Sequence, residues 1–233
     1  MTQAYFITGT DTGIGKTVIA ASLLRIAGDR GLSTLGLKPV SAGCELTDGQ
    51  WMNDDAQELM RLSSISPDYS TVNPLALREA MAPHIAAERA GIKINAADLV
   101  GHCKASLSTA DFVVIEGAGG WQVPLNDSET MAELAAGIGC PVVMVVGMRL
   151  GCINHALLTA MAIRQQGLRL AGWVANHTDP DMVVADENVR ALARRIAAPL
   201  LGRIPFLANA SAQTAASHFE PDALEQLKER DAS

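Results

Sequence analysis

Near its start the chain carries the stretch Gly9-Thr10-Asp11-Thr12-Gly13-Ile14-Gly15-Lys16-Thr17. A short apolar run, residues 4–8, precedes it, and a helical pattern over residues 18–26 follows it. A strand, a glycine-rich turn, Gly-Lys-Thr and a helix in this order are typical of a phosphate-binding loop. The stretch therefore predicts that the protein binds a nucleoside triphosphate.

Each part of this loop has a chemical role. Gly13 and Gly15 let backbone N–H groups approach phosphate oxygens, and the N-terminus of the next helix attracts the same anion. Lys16 is predicted to reach the β- and γ-phosphates, and the Thr17 hydroxyl to bind Mg²⁺. The loop reads G-x5-G-K-T, one residue longer than the usual pattern, because Thr10 stands in the usual glycine position.

Short apolar runs rich in β-branched residues alternate with helical patterns along the chain. Strands are predicted at residues 4–8, 34–38, 112–116, 141–146, 171–175 and 200–204, and helices at 16–30, 54–62, 96–108, 130–138, 154–166 and 186–196. Several strands are apolar on both faces, as in a buried parallel sheet. The pattern predicts one α/β domain over residues 1–233, with a doubly wound, mostly parallel sheet of the P-loop type. Residues 208–233 are expected to form a partly mobile tail with a short helix at 221–230.

Composition narrows the class of protein. The chain has 233 residues, a net charge of −7 and no Lys/Arg-rich tract, so neither nucleic acids nor anionic membranes are expected as partners. The four cysteines lie far apart, which favours a reducing compartment over a disulfide framework or a zinc site. The sequence shows no basic-then-apolar leader and no apolar run long enough to cross a bilayer, so we expect a cytoplasmic protein.

Carboxylates follow or precede predicted elements near the expected phosphate site. Glu116 ends an apolar strand and precedes the glycine-rich residues 117–120, which makes it a candidate Mg²⁺ ligand beside Thr17. Asp54 and Asp55 begin a helix, and either is suited to cap that helix or to complete the Mg²⁺ shell. The residues alone do not choose between the two roles.

Other polar residues at strand ends also have two interpretations. Lys38 is either a binding group for a second anion or a surface lysine at a strand terminus. Asn176 offers a donor and an acceptor that suit a purine edge. With Asp179 it has the N-x-x-D spacing of guanine sites, but His177 stands where those sites have lysine, so guanine is disfavoured. Asn154 is predicted to cap the helix that follows it.

Several segments together carry a more specific pattern. They are Tyr5-Phe6-Ile7-Thr8-Gly9-Thr10-Asp11-Thr12 running into Gly15-Lys16-Thr17, Lys38-Pro39-Val40, Thr71-Val72-Asn73-Pro74, Pro83-His84, Glu116-Gly117-Ala118-Gly119-Gly120-Trp121, Leu150-Gly151-Cys152-Ile153-Asn154-His155-Ala156, Ala171-Gly172-Trp173-Val174-Ala175-Asn176, and Pro199-Leu200-Leu201-Gly202 with Ile204-Pro205. In combination they resemble the dethiobiotin synthetase family. The resemblance runs over residues 5–207 and weakens beyond them.

The resemblance implies an enzyme, a ligase of biotin synthesis. The family uses ATP and Mg²⁺ to close a cyclic urea on 7,8-diaminopelargonic acid with CO₂. A carbamate of the substrate attacks the γ-phosphate to give a carbamic–phosphoric anhydride, and the second amine closes the ring, so no protein nucleophile is needed. The resemblance also implies a homodimer in which residues 151–154 of one chain complete the substrate site of the other.

Residue by residue, the resemblance assigns roles within this chain. The catalytic residues are Lys16, which neutralises the triphosphate, and Lys38, which holds the carbamate. The metal ligands are Thr17, Asp55 and Glu116. The ATP-binding residues are Gly13, Ile14, Gly15, Lys16, Thr17, Val18, Asp55, Glu116, Gly117, Ala118, Gly119, Asn176, His177, Pro205, Phe206 and Leu207; the substrate-binding residues are Thr12, Lys38, Ser41, Gly151 and Asn154. The chain departs from the family pattern of substrate contacts at Gly13, Ala42 and Asn188.

Two alternatives come from other classes of protein. A partitioning-type P-loop ATPase would have lysine five residues before Lys16, where this chain has Asp11. A non-catalytic homologue would bind the nucleotide without releasing phosphate in response to a diamine. The dependence of phosphate release on the diamine therefore separates all three hypotheses.

Overall fold

The computed structural model describes residues 2–228. The strands are β1 (Gln3–Gly9), β2 (Thr34–Leu37), β3 (Val40–Ala42), β4 (Glu45–Thr47), β5 (Gln50–Met52), β6 (Leu75–Leu77), β7 (Phe112–Glu116), β8 (Val142–Met148), β9 (Leu170–His177) and β10 (Leu200–Ile204). The helices are α1 (Lys16–Asp29), α2 (Asp54–Leu62), α3 (Tyr69–Val72), α4 (Pro83–Arg89), α5 (Ala96–Ser106), α6 (Met131–Ile138), α7 (Cys152–Gln165), α8 (Ala185–Ala193), α9 (Ala212–Ala216) and α10 (Ala223–Lys228).

A six-stranded parallel sheet in the order β10-β9-β8-β1-β7-β2 organises the chain. It contains all the predicted strands, and their ends lie within two residues of the predicted ones. The chain runs from β1 to one edge at β2, returns through β7, and then continues from β8 to the other edge. A reversal of this kind leaves a ligand crevice beyond the carboxyl ends of the strands. The predicted doubly wound fold is confirmed.

Apolar side chains cover both faces of this sheet. Phe6 and Val113 lie in the core on one face, and Ile7 and Phe112 in the core on the other. Neighbouring residues of a strand point to opposite faces, so a sheet buried on both faces requires continuous apolar strands. None of the helices among the described residues has the length and apolar character needed to cross a membrane.

The short strands between β2 and β7 were not predicted from the sequence. β3 pairs with β6 in parallel, and β4 pairs with β5 as an antiparallel hairpin. Each of these strands has three residues, too few for a periodic pattern. The short helices α3, α4 and α9 were not predicted either.

The predicted N-caps of two helices need correction. α2 is capped by Asn53, whose side chain accepts a backbone N–H, and not by Asp54 or Asp55. This leaves both aspartates in the first turn of α2, where their carboxylates face the helix dipole. α7 begins two residues earlier than predicted, because Gly151 forms its N-cap in a left-handed conformation with φ of 93°. Asn154 therefore lies inside α7 and does not cap it.

The end of the chain folds back onto the first helix. α9 packs along α1, where Ser22 Oγ lies 3.1 Å from the carbonyl oxygen of Ala212. α10 starts at Ala223, later than the predicted residue 221, and buries Leu224 and Leu227. The predicted end of this helix, residue 230, lies outside the described residues. The mobility expected for residues 208–233 stays a prediction.

Candidate functional site

The loop between β1 and α1 encloses the Lys16 side chain. Gly15 forms the N-cap of α1 with φ of 84°, and Gly13 also has a positive φ, 72°. Lys16 is buried, and its Nζ donates to the carbonyl oxygen of Asp11 at 2.8 Å. The loop therefore places an ammonium beside the N-terminus of α1, where both groups attract an anion.

A cluster of charged side chains, Lys16, Lys38, Asp55 and Glu116, lies below this loop. Lys38 Nζ donates to Glu116 Oε1 at 2.6 Å and to Asp55 Oδ2 at 3.0 Å. Thr17 Oγ1 donates to the same Glu116 oxygen at 3.0 Å. Elements far apart in sequence thus bring together the three residues that were predicted to bind Mg²⁺.

Burial and mutual charge control the pKa values in this charged cluster. Burial lowers the pKa of Lys16 to about 8, although Glu116 partly opposes the shift. Burial acts in the same direction on Lys38, but Glu116 and Asp55 outweigh it and keep the pKa of Lys38 above its ordinary value. Burial raises the pKa of Glu116, whereas at Asp55 the Lys38 ammonium overcomes burial and lowers the pKa. Lys38 is therefore a cation at neutral pH.

A cavity of about 710 Å³ lies above the charged cluster, at the carboxyl ends of β1 and β7. This volume is in the range of small-molecule sites. The carbonyl oxygen of Gly117 also accepts a hydrogen bond from Lys38 Nζ, at 3.4 Å. Of the predicted site residues, the lining contains Thr12, Gly13, Gly15, Lys16, Thr17, Val18, Lys38, Ser41, Asp55, Glu116, Ala118 and Gly119.

One wall of this cavity depends on residues that had no predicted role. Asn73 is buried, its Nδ2 donates to the carbonyl oxygen of Lys38 at 2.6 Å, and its Oδ1 accepts from Ser41 Oγ at 2.7 Å. The Ser41 hydroxyl is therefore bound to the protein, and Ala42 beside it also lines the cavity. Residues 80–83 add an apolar wall, of which only Pro83 stands in a segment that carries the family resemblance.

A second cavity, of about 510 Å³, lies beyond β9 and β10. Its lining includes three predicted ATP-binding residues, His177, Pro205 and Phe206. Leu207, also predicted, packs against the core beside α1. Asn176 Nδ2 donates to the carbonyl oxygen of Ile14 at 2.7 Å, so this amide joins the end of β9 to the phosphate-binding loop. Burial and the nearby Arg203 lower the pKa of His177, which is therefore neutral at pH 7.

Two predicted substrate residues lie elsewhere among the described residues. Gly151 and Asn154 are exposed at the start of α7 and line neither cavity. Leu150 is 93% exposed beside them, and Leu158 and Met161 on α7 are each 50% exposed. This apolar surface of Leu150, Leu158 and Met161 is called the α7 patch below.

The fold and the loop together define the class of P-loop nucleotide-binding proteins. A ParA family ATPase from Chlorobium tepidum TLS has a similar structure, with a TM-score of 0.56 and 14% identity over 97% of this chain and 95% of that one. The septum site-determining protein MinD from Pyrococcus horikoshii OT3 gives a TM-score of 0.55 and 17% identity over 88% and 82%. Identities this low support the shared fold alone.

Comparison with the sequences of known proteins is more specific than the comparison of folds. A family model described as an AAA domain matches residues 3–214. The ATP-dependent dethiobiotin synthetase BioD of Cellvibrio japonicus is 56% identical over 94% of this chain and 96% of that protein. The protein of the same name from Aromatoleum aromaticum is 51% identical over 92% and 96%. The chain belongs to the dethiobiotin synthetase family, as its sequence segments predicted.

Proposed function

We propose that this chain is an ATP-dependent ligase that makes dethiobiotin for biotin synthesis by closing a cyclic urea on 7,8-diaminopelargonic acid with CO₂. The observation that carries the proposal is Lys38 held between Asp55 and Glu116 below the phosphate-binding loop. It gives the cavity a second buried cation beside Lys16. Two cations suit two anions, a triphosphate and a carbamate, that would otherwise repel each other. The family relationship over nearly the whole chain supports the same reaction.

The proposed reaction needs no nucleophile from the protein. One substrate amine adds to CO₂, loses a proton and becomes a carbamate. A carbamate oxygen attacks the γ-phosphorus, the bond to the bridging oxygen of ADP breaks, and a carbamic–phosphoric anhydride forms. The second amine attacks the carbamoyl carbon, phosphate leaves, and a proton is released as the ring closes. Lys16 and Lys38 neutralise and align the two anions throughout.

Three oxygen-bearing side chains, Thr17, Asp55 and Glu116, would hold Mg²⁺. Oxygen is the ligand atom that this ion prefers, and Glu116 Oε2 is buried without a hydrogen-bond partner among the described residues. Within residues 2–228 no group of three or more His, Cys, Asp or Glu side chains could hold a metal; phosphate oxygens and water would complete the shell. When bound, the ion supplies positive charge that stabilises phosphoryl transfer.

The orientation of Asn176 favours ATP over GTP. Ile14 offers a carbonyl oxygen, which only accepts, so the amide atom 2.7 Å from it must be the nitrogen. The oxygen of Asn176 is then free to accept a hydrogen bond from the base. Facing position 6 of a purine, it accepts from the amine of adenine, whereas guanine has a carbonyl oxygen there. Asn176→Ala should reduce the ratio of kcat/KM for ATP to kcat/KM for GTP about tenfold. An unchanged ratio would remove Asn176 from base recognition.

The α7 patch supports a homodimer. Gly151 and Asn154 lie beside it and line neither cavity of their own chain. We therefore assign them to the substrate site of a second copy, with Leu158 and Met161 buried between the two chains. Light scattering should give twice the mass of one chain, and Leu158→Glu should give one chain mass and a raised KM for the diamine. A monomeric unsubstituted protein with full activity would contradict this assignment.

A cytoplasmic location fits the cysteines. All four of them are free and buried in the structure. Thiols persist in a reducing compartment. Fractionation of cells that produce the chain with its native termini tests this location.

Phosphate release is the direct test of the proposed reaction. Purified protein is supplied with MgATP and bicarbonate, with and without 7,8-diaminopelargonic acid. We expect release that depends on the diamine, together with a cyclic urea product in mass spectra. Phosphate release that is independent of the diamine but is stimulated by DNA would instead support a partitioning-type ATPase. Nucleotide binding with no release under any condition would indicate a non-catalytic homologue.

A further inference from the structure

Asn73 uses both ends of its amide inside the protein. Its Nδ2 donates to the Lys38 carbonyl oxygen at 2.6 Å, and its Oδ1 accepts from Ser41 Oγ at 2.7 Å and from Tyr69 OH at 3.0 Å. The residue is only 3% exposed. A buried amide with donor and acceptor both satisfied fixes the groups it joins. Asn73 therefore holds the backbone at Lys38 and the side chain at Ser41 in one arrangement.

Tyr69 extends this contact to the next element of the site. Its hydroxyl accepts from the backbone N–H of Asn53 at 2.8 Å while it donates to Asn73. Asn53 caps α2, and the first turn of α2 carries Asp55. A continuous path of hydrogen bonds thus joins the Lys38 backbone to the helix that presents Asp55.

We infer that Asn73 and Tyr69 are positioning residues that set the distance between the Lys38 ammonium and the Asp55 carboxylate. The inference rests on the proposed function, in which these two groups receive the carbamate and the metal. Neither Asn73 nor Tyr69 lines the cavity of about 710 Å³, so both act through Lys38, Ser41 and Asn53. A single hydroxyl deletion in this path should displace one side of the charged cluster and leave the phosphate-binding loop unchanged.

The decisive variant is Tyr69→Phe, because it removes the hydroxyl and keeps the buried ring. The chain has one other tyrosine, Tyr5, which is also buried and packs on Phe112 away from the path. Tyr5→Phe is therefore the control for removing a tyrosine hydroxyl that lies outside the path. Asn73→Asp is the stronger second variant, because it keeps the acceptor but sets an oxygen against the Lys38 carbonyl.

The measurements are kcat and KM for bicarbonate, for the diamine and for ATP, with the melting temperature of each variant. We expect Tyr69→Phe to lower kcat/KM for bicarbonate about tenfold and to change the KM for ATP less than about twofold. Tyr5→Phe should retain the kinetics of the unsubstituted protein, because Tyr5 has no contact, among the described residues, with the path from Lys38 to Asn53.

Two outcomes overturn the inference while the proposed function stands. One is an unchanged kcat/KM for bicarbonate in Tyr69→Phe. The other is a general effect of the substitution, seen either as an equal fall in kcat/KM for bicarbonate in Tyr5→Phe or as a rise of about tenfold in the KM for ATP in Tyr69→Phe. Absence of diamine-dependent turnover in the unsubstituted protein is a different result, because it removes the proposed function itself. If Asn73→Asp does not fold, the comparison of Tyr69→Phe with Tyr5→Phe tests the inference without it.

Discussion

Lys38 Nζ lies 2.6 Å from Glu116 Oε1, and both side chains are almost fully buried. Each of these charges lost its water on folding, so each depends on the other for compensation. Asp55, 3.0 Å from the same ammonium, is the exposed member of the three, with 44% of its side chain accessible. The ion pair therefore has a closed side toward the sheet and an open side toward the cavity.

Loss of the Lys38 charge should affect CO₂ capture more than nucleotide binding. We expect Lys38→Ala to reduce diamine-dependent turnover about 100-fold or more, because a charge that stabilises the reacting anions is gone. The affinity for a non-hydrolysable ATP analogue should change little, since Lys16 and the loop remain. Kinetics with varied bicarbonate and calorimetric titration measure the two effects. Lys104→Ala, on the exposed side of α5, is the control, and unchanged bicarbonate kinetics in Lys38→Ala would refute the role.

Lys16 should be essential for turnover. Its ammonium lies at the only side-chain position in the loop 9–17 that carries a positive charge. Lys16→Ala should therefore lower kcat by about 1,000-fold, as expected when a charge that stabilises the transferring phosphoryl group is removed. Lys228→Ala, which removes a surface lysine paired with Glu225, is the matched control. Near-normal phosphate release by Lys16→Ala would exclude the loop as the nucleotide site.

The same lysine should destabilise the nucleotide-free protein at neutral pH. Burial lowers the pKa of Lys16 from 10.5 to about 8, so between these values the unfolded chain binds more protons and stability rises with pH. Below pH 8 the full cost of burying the charge is present, roughly 3 kcal/mol. Lys16→Met should thus be more stable than the unsubstituted protein at pH 7, by up to that amount. Urea unfolding should show the gap shrinking from pH 8 to 10.5; a gap independent of pH would contradict the burial effect.

Two loop glycines should differ in their tolerance of a methyl group. Gly13 and Gly15 both have positive φ, so alanine at either costs about 1–2 kcal/mol of backbone strain. A Cβ at Gly13 meets no atom within 4 Å, whereas at Gly15 it would overlap the Asn176 amide nitrogen. Gly15→Ala should therefore lose more stability than Gly13→Ala and should break the Asn176–Ile14 hydrogen bond. Urea unfolding of the two variants measures the difference, and equal losses would show that Asn176 moves aside freely.

The main sheet could be predicted because burial on both faces leaves a strong pattern in the sequence. β7 and β10 have the predicted bounds, since β7 is an apolar run that ends in Glu116 and β10 lies between two prolines, Pro199 and Pro205. β3 and β6 left no such pattern, because three-residue strands are too short to show a period. The start of α7 was misplaced because a left-handed glycine, Gly151, ended the preceding loop and the polar Asn154 resembled a cap.

The candidate site was predictable in its residue types but not in its contacts. Thr17, Lys38 and Glu116 each lie at or beside the end of an element at the carboxyl edge of the sheet, which is visible in the sequence. The roles of Tyr69 and Asn73 could not be predicted from the sequence, because a hydrogen bond to Asn53 or Lys38 depends on how distant segments meet. The amide of Asn176 was likewise predicted to meet a base, whereas its contact with Ile14 emerged only from the fold.

The position of β1 in the sheet has a consequence for biosynthesis. β1 is made before the other strands of the sheet, yet its two neighbours, β7 and β8, are made more than a hundred residues later. A nascent chain that stops before β8 therefore leaves at least one edge of this apolar strand unpaired, with the nucleotide loop attached. Closure of this central strand requires long-range contacts, which form slowly. The ability to hold a nucleotide should consequently arise late in translation and nearly all at once, and ribosome-bound chains that stop before β8 should depend most on chaperones.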